Sequence, residues 1–154
     1  MASLGQTVRT CWWLPGNGLD AVNFWTSLLP DSQLDGAVNK DGTALIIEFT
    51  LAGAPMMVLN ASGGPAANMA ASISVLTDDQ AETDRLWAAL TADGGKEVAC
   101  SWVTDRFGVS WQIVPRLLPQ LFGSSDTAAA ARAFAAMQTM VKIDIAAVQA
   151  AFDG

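Results

Sequence analysis

Residues 102–115 read WVTDRFGVSWQIVP, and they carry the clearest indication of the fold in this chain. Two runs rich in β-branched and aromatic residues, at 101–105 and 109–114, flank a turn that ends at Gly108. Runs of this composition on either side of a Gly-containing turn are typical of short β-strands. We therefore predict two strands joined by a turn.

The residues before this stretch predict three more elements. Residues 71–76 alternate between apolar and small polar side chains, as a half-buried strand does. A helix is predicted at 78–92 because Leu86, Trp87 and Leu90 share one face, and a short strand is predicted at 96–100. The order in this half of the chain is therefore β-α-β-β-β.

The first half of the chain predicts the same order. Its predicted elements are a strand at 7–14, a helix at 19–29 and strands at 32–39, 43–51 and 55–60. An offset of 62 residues aligns Thr10 with Ser72 and Trp25 with Trp87, and an offset of 55 aligns the last strands of the two halves. This internal repeat predicts an α+β fold of two βαβββ modules, at about 6–61 and 70–115, within one domain at 1–154.

A helical extension at about 116–154 follows the second module. It has an apolar segment at 117–122 and predicted helices at 127–140 and 143–152. Their apolar residues recur at helical spacing, at Phe134, Met137, Val141, Ile145, Val148 and Phe152. Apolar stripes beyond a finished core must pack either on their own domain or on a partner chain. We predict a homodimer.

The composition excludes several classes of function. The chain has 8 Lys and Arg against 15 Asp and Glu, a net charge of −7, and neither His nor Tyr. A nucleic-acid binder needs a basic surface, so no nucleic-acid partner is expected, and the same charge disfavours anionic membranes. The absence of His removes the usual general base and the commonest metal ligand.

The cysteine count and the N-terminus predict a cytoplasmic protein. Cys11 and Cys100 are too few for a disulfide framework or a zinc-thiolate cluster, and two buried thiols in a reducing compartment are the simplest interpretation. No apolar run reaches the length of a membrane span. Residues 1–6 lack the basic start and apolar stretch of a signal peptide.

The element order and the 102–115 run resemble the vicinal-oxygen-chelate superfamily of glyoxalase, bleomycin-resistance and dioxygenase proteins. Within it the chain is similar to the PhnB-like branch, often labelled 3-demethylubiquinone-9 3-methyltransferase. Further segments that carry the resemblance lie at 21–25, 29–32, 53–60, 77–80 and 142–145. The resemblance implies paired βαβββ modules whose sheets curl around a cavity, often in a dimer.

The resemblance also implies four ligand positions, one on the first and one on the fourth strand of each module. By register these positions are Thr10, Met57, Ser72 and Gln112. Metal-dependent relatives hold His, Glu or Gln there, whereas only Gln112 could be a ligand in this chain. One neutral amide oxygen does not hold a divalent ion against water, so no metal and no cofactor are expected.

Strand alternation predicts which side chains face the cavity. We assign to that face Thr10, Trp12, Met57, Ser72, Ser74, Ser110 and Gln112, and we assign Cys11, Trp13 and Trp111 to the faces covered by helices. Apolar walls with a few hydroxyl and amide groups are typical of a small-molecule site. A closed core with locally bonded Ser and Thr is the alternative.

Four further features allow two interpretations each. The run at 16–18 contains two glycines and is either a nucleotide-binding turn or an ordinary turn. Asp105 caps a turn or positions a substrate with Arg106, and Glu48 is either a buried base or a carboxylate at a rim. Trp12 and Trp102 stack on a ligand or fill the core.

These observations predict a metal-free protein that binds an unknown small molecule. One alternative is an enzyme of the glyoxalase and dioxygenase superfamily that uses Glu48 or Asp105 as an acid or base, or a metal. The other is a ubiquinone-pathway methyltransferase, which rests on the family label alone.

Overall fold

The computed structural model describes residues 7–154, which form two compact units divided between Ala66 and Ala67. The segment 1–6, on which the prediction about a signal peptide rests, lies outside the described residues. Each unit contains one four-stranded mixed sheet.

The first unit is a sheet with one helix. Its sheet has the strand order β1-β4-β3-β2, in which β1 and β4 are parallel and the other pairs are antiparallel. The elements are β1 (Thr10–Leu14), α1 (Gly18–Leu28), β2 (Gln33–Lys40), β3 (Thr43–Leu51) and β4 (Ala54–Asn60).

Helix α1 packs on one face of this sheet through a buried aromatic cluster. The Trp25 ring is fully buried and lies edge-on to Trp12, with 6.5 Å between ring centroids. Its centroid is 5.8 Å from that of Phe49 on β3. Burial of such side chains contributes roughly 1.5–3 kcal/mol each, so this cluster holds the helix on the sheet.

The second unit repeats the arrangement and adds the C-terminal helices. Its sheet order is β5-β8-β7-β6, again with one parallel pair, β5 and β8. A short 3₁₀ turn at Ala92–Gly94 follows α2. The elements are β5 (Ile73–Thr77), α2 (Gln80–Thr91), β6 (Lys96–Glu97), β7 (Trp102–Thr104), β8 (Ser110–Pro115), α3 (Leu117–Phe122), α4 (Thr127–Gln138) and α5 (Ile145–Asp153).

Helix α2 covers the sheet face that carries Thr77. The Thr77 and Thr83 hydroxyls are 2.7 Å apart and join β5 to the helix. Asp79 caps the helix, since its carboxylate accepts a hydrogen bond from the Glu82 amide at 2.8 Å. The side chains of Trp111 and Ile113 are fully buried under this layer.

The C-terminal helices pack on their own unit. They form an apolar cluster from the buried residues Leu118, Leu121, Ala133, Ile143 and Val148. Phe134 and Val141 stay exposed, at 45% and 44% of their surface. Packing within the unit removes most of the argument for a partner chain, and the homodimer stays a prediction.

The predicted α+β fold of two βαβββ modules with C-terminal helices is confirmed. One strand, β6, ends three residues earlier than expected, because the chain turns back at Cys100 and Ser101 to form β7. Both residues have positive φ, and their amides donate to the carbonyls of Met140 and Val141 at 2.9 and 3.0 Å. None of the helices within 7–154 has the length and hydropathy needed to cross a membrane.

Candidate functional site

The second sheet has an open face opposite α2, and three side chains form a row across it. Ser74 on β5 pairs with Gln112 on β8, and Gln112 pairs with Trp102 on β7. Residues paired across neighbouring strands point to the same side of a sheet and lie about 5 Å apart. The row therefore presents a hydroxyl, an amide and an indole ring on one surface.

This row forms the floor of a pocket of about 450 Å³. The remaining polar lining comes from Cys100 and Ser101, in the turn between β6 and β7. The apolar walls come from the sheet and from the C-terminal helices, through Leu76, Val114, Leu118, Pro119, Phe122 and Met137. The pocket thus has a polar strip on its floor and apolar walls.

Gln112 is held in place by a second residue of the predicted set. Its Nε2 donates a hydrogen bond to the Ser72 hydroxyl at 2.8 Å. Ser72 and Gln112 therefore lie on the same side of the second sheet. Ser110 is buried, with only 2% of its surface exposed, and does not line the pocket.

The predicted face assignment for β1 is wrong. Trp12 packs against Trp25 of α1, so Trp12 and Thr10 belong to the face that the helix covers. Cys11 and Trp13 lie on the open face instead, where the Trp13 indole donates to the Ala61 carbonyl at 2.7 Å. Trp12 is a core residue of the first unit, and Thr10 shares its side of the strand.

The cause of this error is a one-residue slip in the internal repeat. Cys11 pairs with Met57, and the equivalent pair in the second sheet is Ser74 with Gln112. The offset between β1 and β5 is therefore 63 residues rather than 62, while the offset of 55 between β4 and β8 holds. A slip of one residue moves every side chain of a strand to the other face.

The open face of the first sheet carries an ion pair among apolar side chains. Arg9 donates to the Glu48 carboxylate, and Met57 lies on the intervening strand. The Arg9 and Glu48 side chains are 39% and 20% exposed. Met57 is on the open face as predicted, and Glu48 is engaged by the guanidinium group.

The glycine-rich turn before α1 has a structural role. The Gly18 amide donates to the Asn60 side-chain oxygen at 2.8 Å, and Asn60 is only 6% exposed. A Cβ at position 18 would lie 2.7 Å from a Val58 methyl carbon, so the helix can approach the strand only with glycine there. The start of α1 is occupied by a side chain of its own unit.

Asp105 also has a structural role. Its Oδ1 accepts from the Phe107 and Val109 amides at 2.9 and 3.0 Å, and its Oδ2 accepts from the Trp111 indole at 2.9 Å. The residue is 2% exposed. Arg106 bonds to Asp93 at 2.9 Å, so the interpretation as a turn cap accounts for both residues.

The donor set at the four family positions does not fit a divalent metal ion. Met57, Thr10, Ser72 and Gln112 supply no carboxylate and no imidazole, and Thr10 lies on the helix-covered face. The Gln112 amide is already bonded to Ser72. The described part of the chain contains no group of three or more His, Cys, Asp or Glu residues that could bind a metal.

Comparison with known proteins identifies the family. A sequence profile described as 3-demethylubiquinone-9 3-methyltransferase matches residues 6–114, which is more than half of the chain. The chain belongs to this family. The predicted resemblance to the PhnB-like branch of the vicinal-oxygen-chelate superfamily is confirmed.

Three solved structures are similar to this chain to different degrees. The PhnB protein from Bacillus cereus, which carries the same methyltransferase name, is 26% identical, with a TM-score of 0.64, over 71% of this chain and 99% of its own. Protein PA1353 from Pseudomonas aeruginosa is 21% identical (TM-score 0.56, 72% and 98% covered). The fosfomycin resistance protein FosX from Listeria monocytogenes is 9% identical (TM-score 0.58, 79% and 100% covered). The last two similarities concern the fold alone, and no curated protein matches.

The family profile ends before the helices that wall the pocket. It stops at residue 114, whereas Leu118, Phe122 and Met137 lie beyond it. Sequence reasoning missed these residues and Cys100 and Ser101 as pocket lining. The apolar segment at 117–122 was the available signal, because apolar side chains there exceed what a finished module needs.

Proposed function

We propose that this protein binds a small organic molecule in the pocket on the open face of its second sheet, without a metal ion. The observation that carries the proposal is the row of Ser74, Gln112 and Trp102 on the floor of an apolar pocket. Ligand sites typically combine apolar and aromatic walls with a few polar groups that fix orientation. A volume of about 450 Å³ is in the range of such sites.

The chemistry of the donors supports metal independence. A hydroxyl and a neutral amide are weak ligands, and divalent ions in proteins are held mainly by sites that include imidazole, thiolate or carboxylate groups. The same hydroxyl and amide groups are well suited to hydrogen bonds with an organic ligand. Each such bond contributes about 1 kcal/mol net.

The fold supports binding over the methyl transfer named in the family description. The dinucleotide and nucleotide sites of doubly wound proteins lie at the carboxyl edge of a parallel sheet, beside a Gly-rich turn. Within 7–154 the parallel pairing is limited to β1 with β4 and β5 with β8. The amide of Gly18, at the Gly-rich turn between β1 and α1, is bonded to Asn60.

A cytoplasmic setting is part of the proposal. Cys11 is exposed and Cys100 half-buried, so the predicted burial of the two thiols is wrong. Both are free thiols, which persist in a reducing compartment. The net charge of −7 supports a small-molecule partner over a nucleic acid.

The test is a screen of a small-fragment library by NMR, with the protein dialysed against EDTA. The Trp102 indole N–H and the Gln112 side-chain amide each give a separate signal, so binding at the pocket is read directly. We expect a subset of fragments to shift both signals in the metal-stripped protein.

The matched control is Ser74→Trp, which places a large ring on the exposed floor of the pocket without touching the buried face. This variant should fold and lose those shifts. Two results would overturn the proposal: no fragment shifts the two signals, or the shifts appear only after Mn²⁺, Ni²⁺ or Zn²⁺ is added back.

A further inference from the structure

We infer that the ligand of this pocket is an uncharged, largely apolar molecule with a hydrogen-bonding group such as a primary amide. This inference rests on the proposed function and adds the chemical class of the ligand. It comes from the residues that line the pocket and from the unused hydrogen-bonding capacity of Gln112.

The lining contains no carboxylate, ammonium or guanidinium group that could form a salt bridge with a charged ligand. None of the described residues around the pocket is Lys, Arg, Asp or Glu. An ion that entered would lose its hydration and find no opposite charge, which is strongly unfavourable. A neutral molecule loses much less hydration and gains contact with the apolar walls.

Gln112 sets the complementary group on the ligand. Its bond to Ser72 uses one of the two Nε2 hydrogens. The second hydrogen and the Oε1 atom remain, so the side chain can both donate and accept. A primary amide on the ligand can form this pair of hydrogen bonds, with the ring of Trp102 beside it for stacking.

Helices α3 and α4 supply part of the apolar wall of the pocket. Phe122 and Met137 lie outside the residues that the family profile matches. The Bacillus cereus relative is covered almost completely, at 99%, by 71% of this chain. The apolar character of the pocket therefore comes in part from a segment that the family comparison does not account for.

Three probes of nearly equal size test the inference: 2-naphthamide, 2-naphthoate and 2-naphthylmethylammonium. Their affinities are measured by calorimetry at pH 7, with the Trp102 and Gln112 NMR signals reporting the place of binding. We expect the neutral amide to bind more than about tenfold tighter than either ion, a difference of about 1.4 kcal/mol or more.

The overall charge of the protein makes the cation the sharper comparison. A net charge of −7 attracts a cation and repels an anion at long range. The measurement is repeated in about 0.5 M salt, which screens that long-range field but not contacts inside the pocket. The preference for the amide over the cation should persist at both salt concentrations.

A pair of substitutions at one position isolates the effect of charge. Gln112→Glu keeps the shape and lets the Ser72 hydroxyl donate to the new carboxylate, so the fold should be retained. It should shift the preference at least tenfold toward the ammonium probe. Gln112→Met is the neutral control. It should lower the affinity for 2-naphthamide and leave the low affinity for the two ions unchanged.

The outcomes separate the two proposals. Equal or tighter binding of either ion to the unaltered pocket overturns the inference and leaves small-molecule binding intact. Failure of 2-naphthamide to bind, while library fragments still shift the Trp102 and Gln112 signals, also overturns the inference alone. If neither the probes nor the fragments bind, the proposed function fails as well.

Discussion

Replacing Asp105 with Asn should destabilise the second unit substantially, although the two side chains have the same shape. The residue is 2% exposed, and its carboxylate accepts hydrogen bonds from the Phe107 and Val109 amides and from the Trp111 indole. An Asn side chain has one oxygen and one NH₂ group. If its oxygen still accepts the hydrogen bonds from the two backbone amides, its NH₂ group faces the indole N–H. Two donors then face each other and no hydrogen bond forms between them.

The size of the effect follows from the bond that is lost. A buried donor without an acceptor costs about 1–3 kcal/mol, and the two remaining bonds lose the strengthening that a charged acceptor provides. We expect the free energy of unfolding to fall by about 2–3 kcal/mol. Small domains have about 5–15 kcal/mol in total, so this is a large fraction.

The assay is urea unfolding of a double-mutant cycle with Trp111→Phe. Phe removes the indole donor, so Asp105→Asn should cost about 1–2 kcal/mol less in that background. The reasoning is refuted if Asp105→Asn changes the stability by less than about 0.5 kcal/mol, the usual range of neutral surface changes. An equal cost in both backgrounds would show that the indole bond is not the cause.

Three other predictions concern the core, an ion pair and the oligomeric state. Trp12→Ala should lower the free energy of unfolding by about 3–5 kcal/mol. Trp12→Phe should lower it far less, because Phe keeps a ring against Trp25 and removes an indole N–H that is buried without a partner. Urea unfolding measures both variants. Hydrogen bonds from Lys142 and Gln80 lower the pKa of Asp84, so this contact stabilises the fold above pH 4 and is lost as the pH falls through the lowered pKa. Lys142→Gln should raise that pKa toward its usual value of 3.8, measured by carboxyl NMR. The predicted homodimer should sediment at twice the chain mass of 16.1 kDa at micromolar concentration, and a monomer would contradict it.

The order of elements could be predicted from the sequence because local patterns determine it. The strand predicted at 43–51 is observed as β3, and the helix predicted at 19–29 is α1, displaced by one residue. The end of β6 could not be predicted, because the turn at Cys100 is held by carbonyls about 40 residues further along the chain. Local composition does not contain a contact of that kind.

The side of the sheet to which each side chain points could be predicted only where polar and apolar residues alternate clearly along the strand. On β5 and β8 the polar residues Ser and Gln alternate with Ile, Val and Trp, so only one face can be the buried one. Ser74 and Gln112 are on the open face as expected. On β1 the neighbours Trp12 and Trp13 are equally apolar, so a tryptophan is buried whichever set of alternate residues faces the helix. The register with Val58 decides between them, and strand pairing is not visible in one strand alone.

The turn at Cys100 and Ser101 also couples the stability of the second module to the C-terminal helices. Two successive residues other than glycine with φ of 55° and 71° are unfavourable, at roughly 1–2 kcal/mol each. They are compensated by the carbonyls of Met140 and Val141, which the C-terminal helices hold in place. A chain cut after β8 would keep every strand of the second module and lose the partners of this turn. We therefore expect the second βαβββ module to be less stable without the C-terminal helices, and the amide hydrogens of Cys100 and Ser101 to exchange with solvent at the rate at which those helices detach.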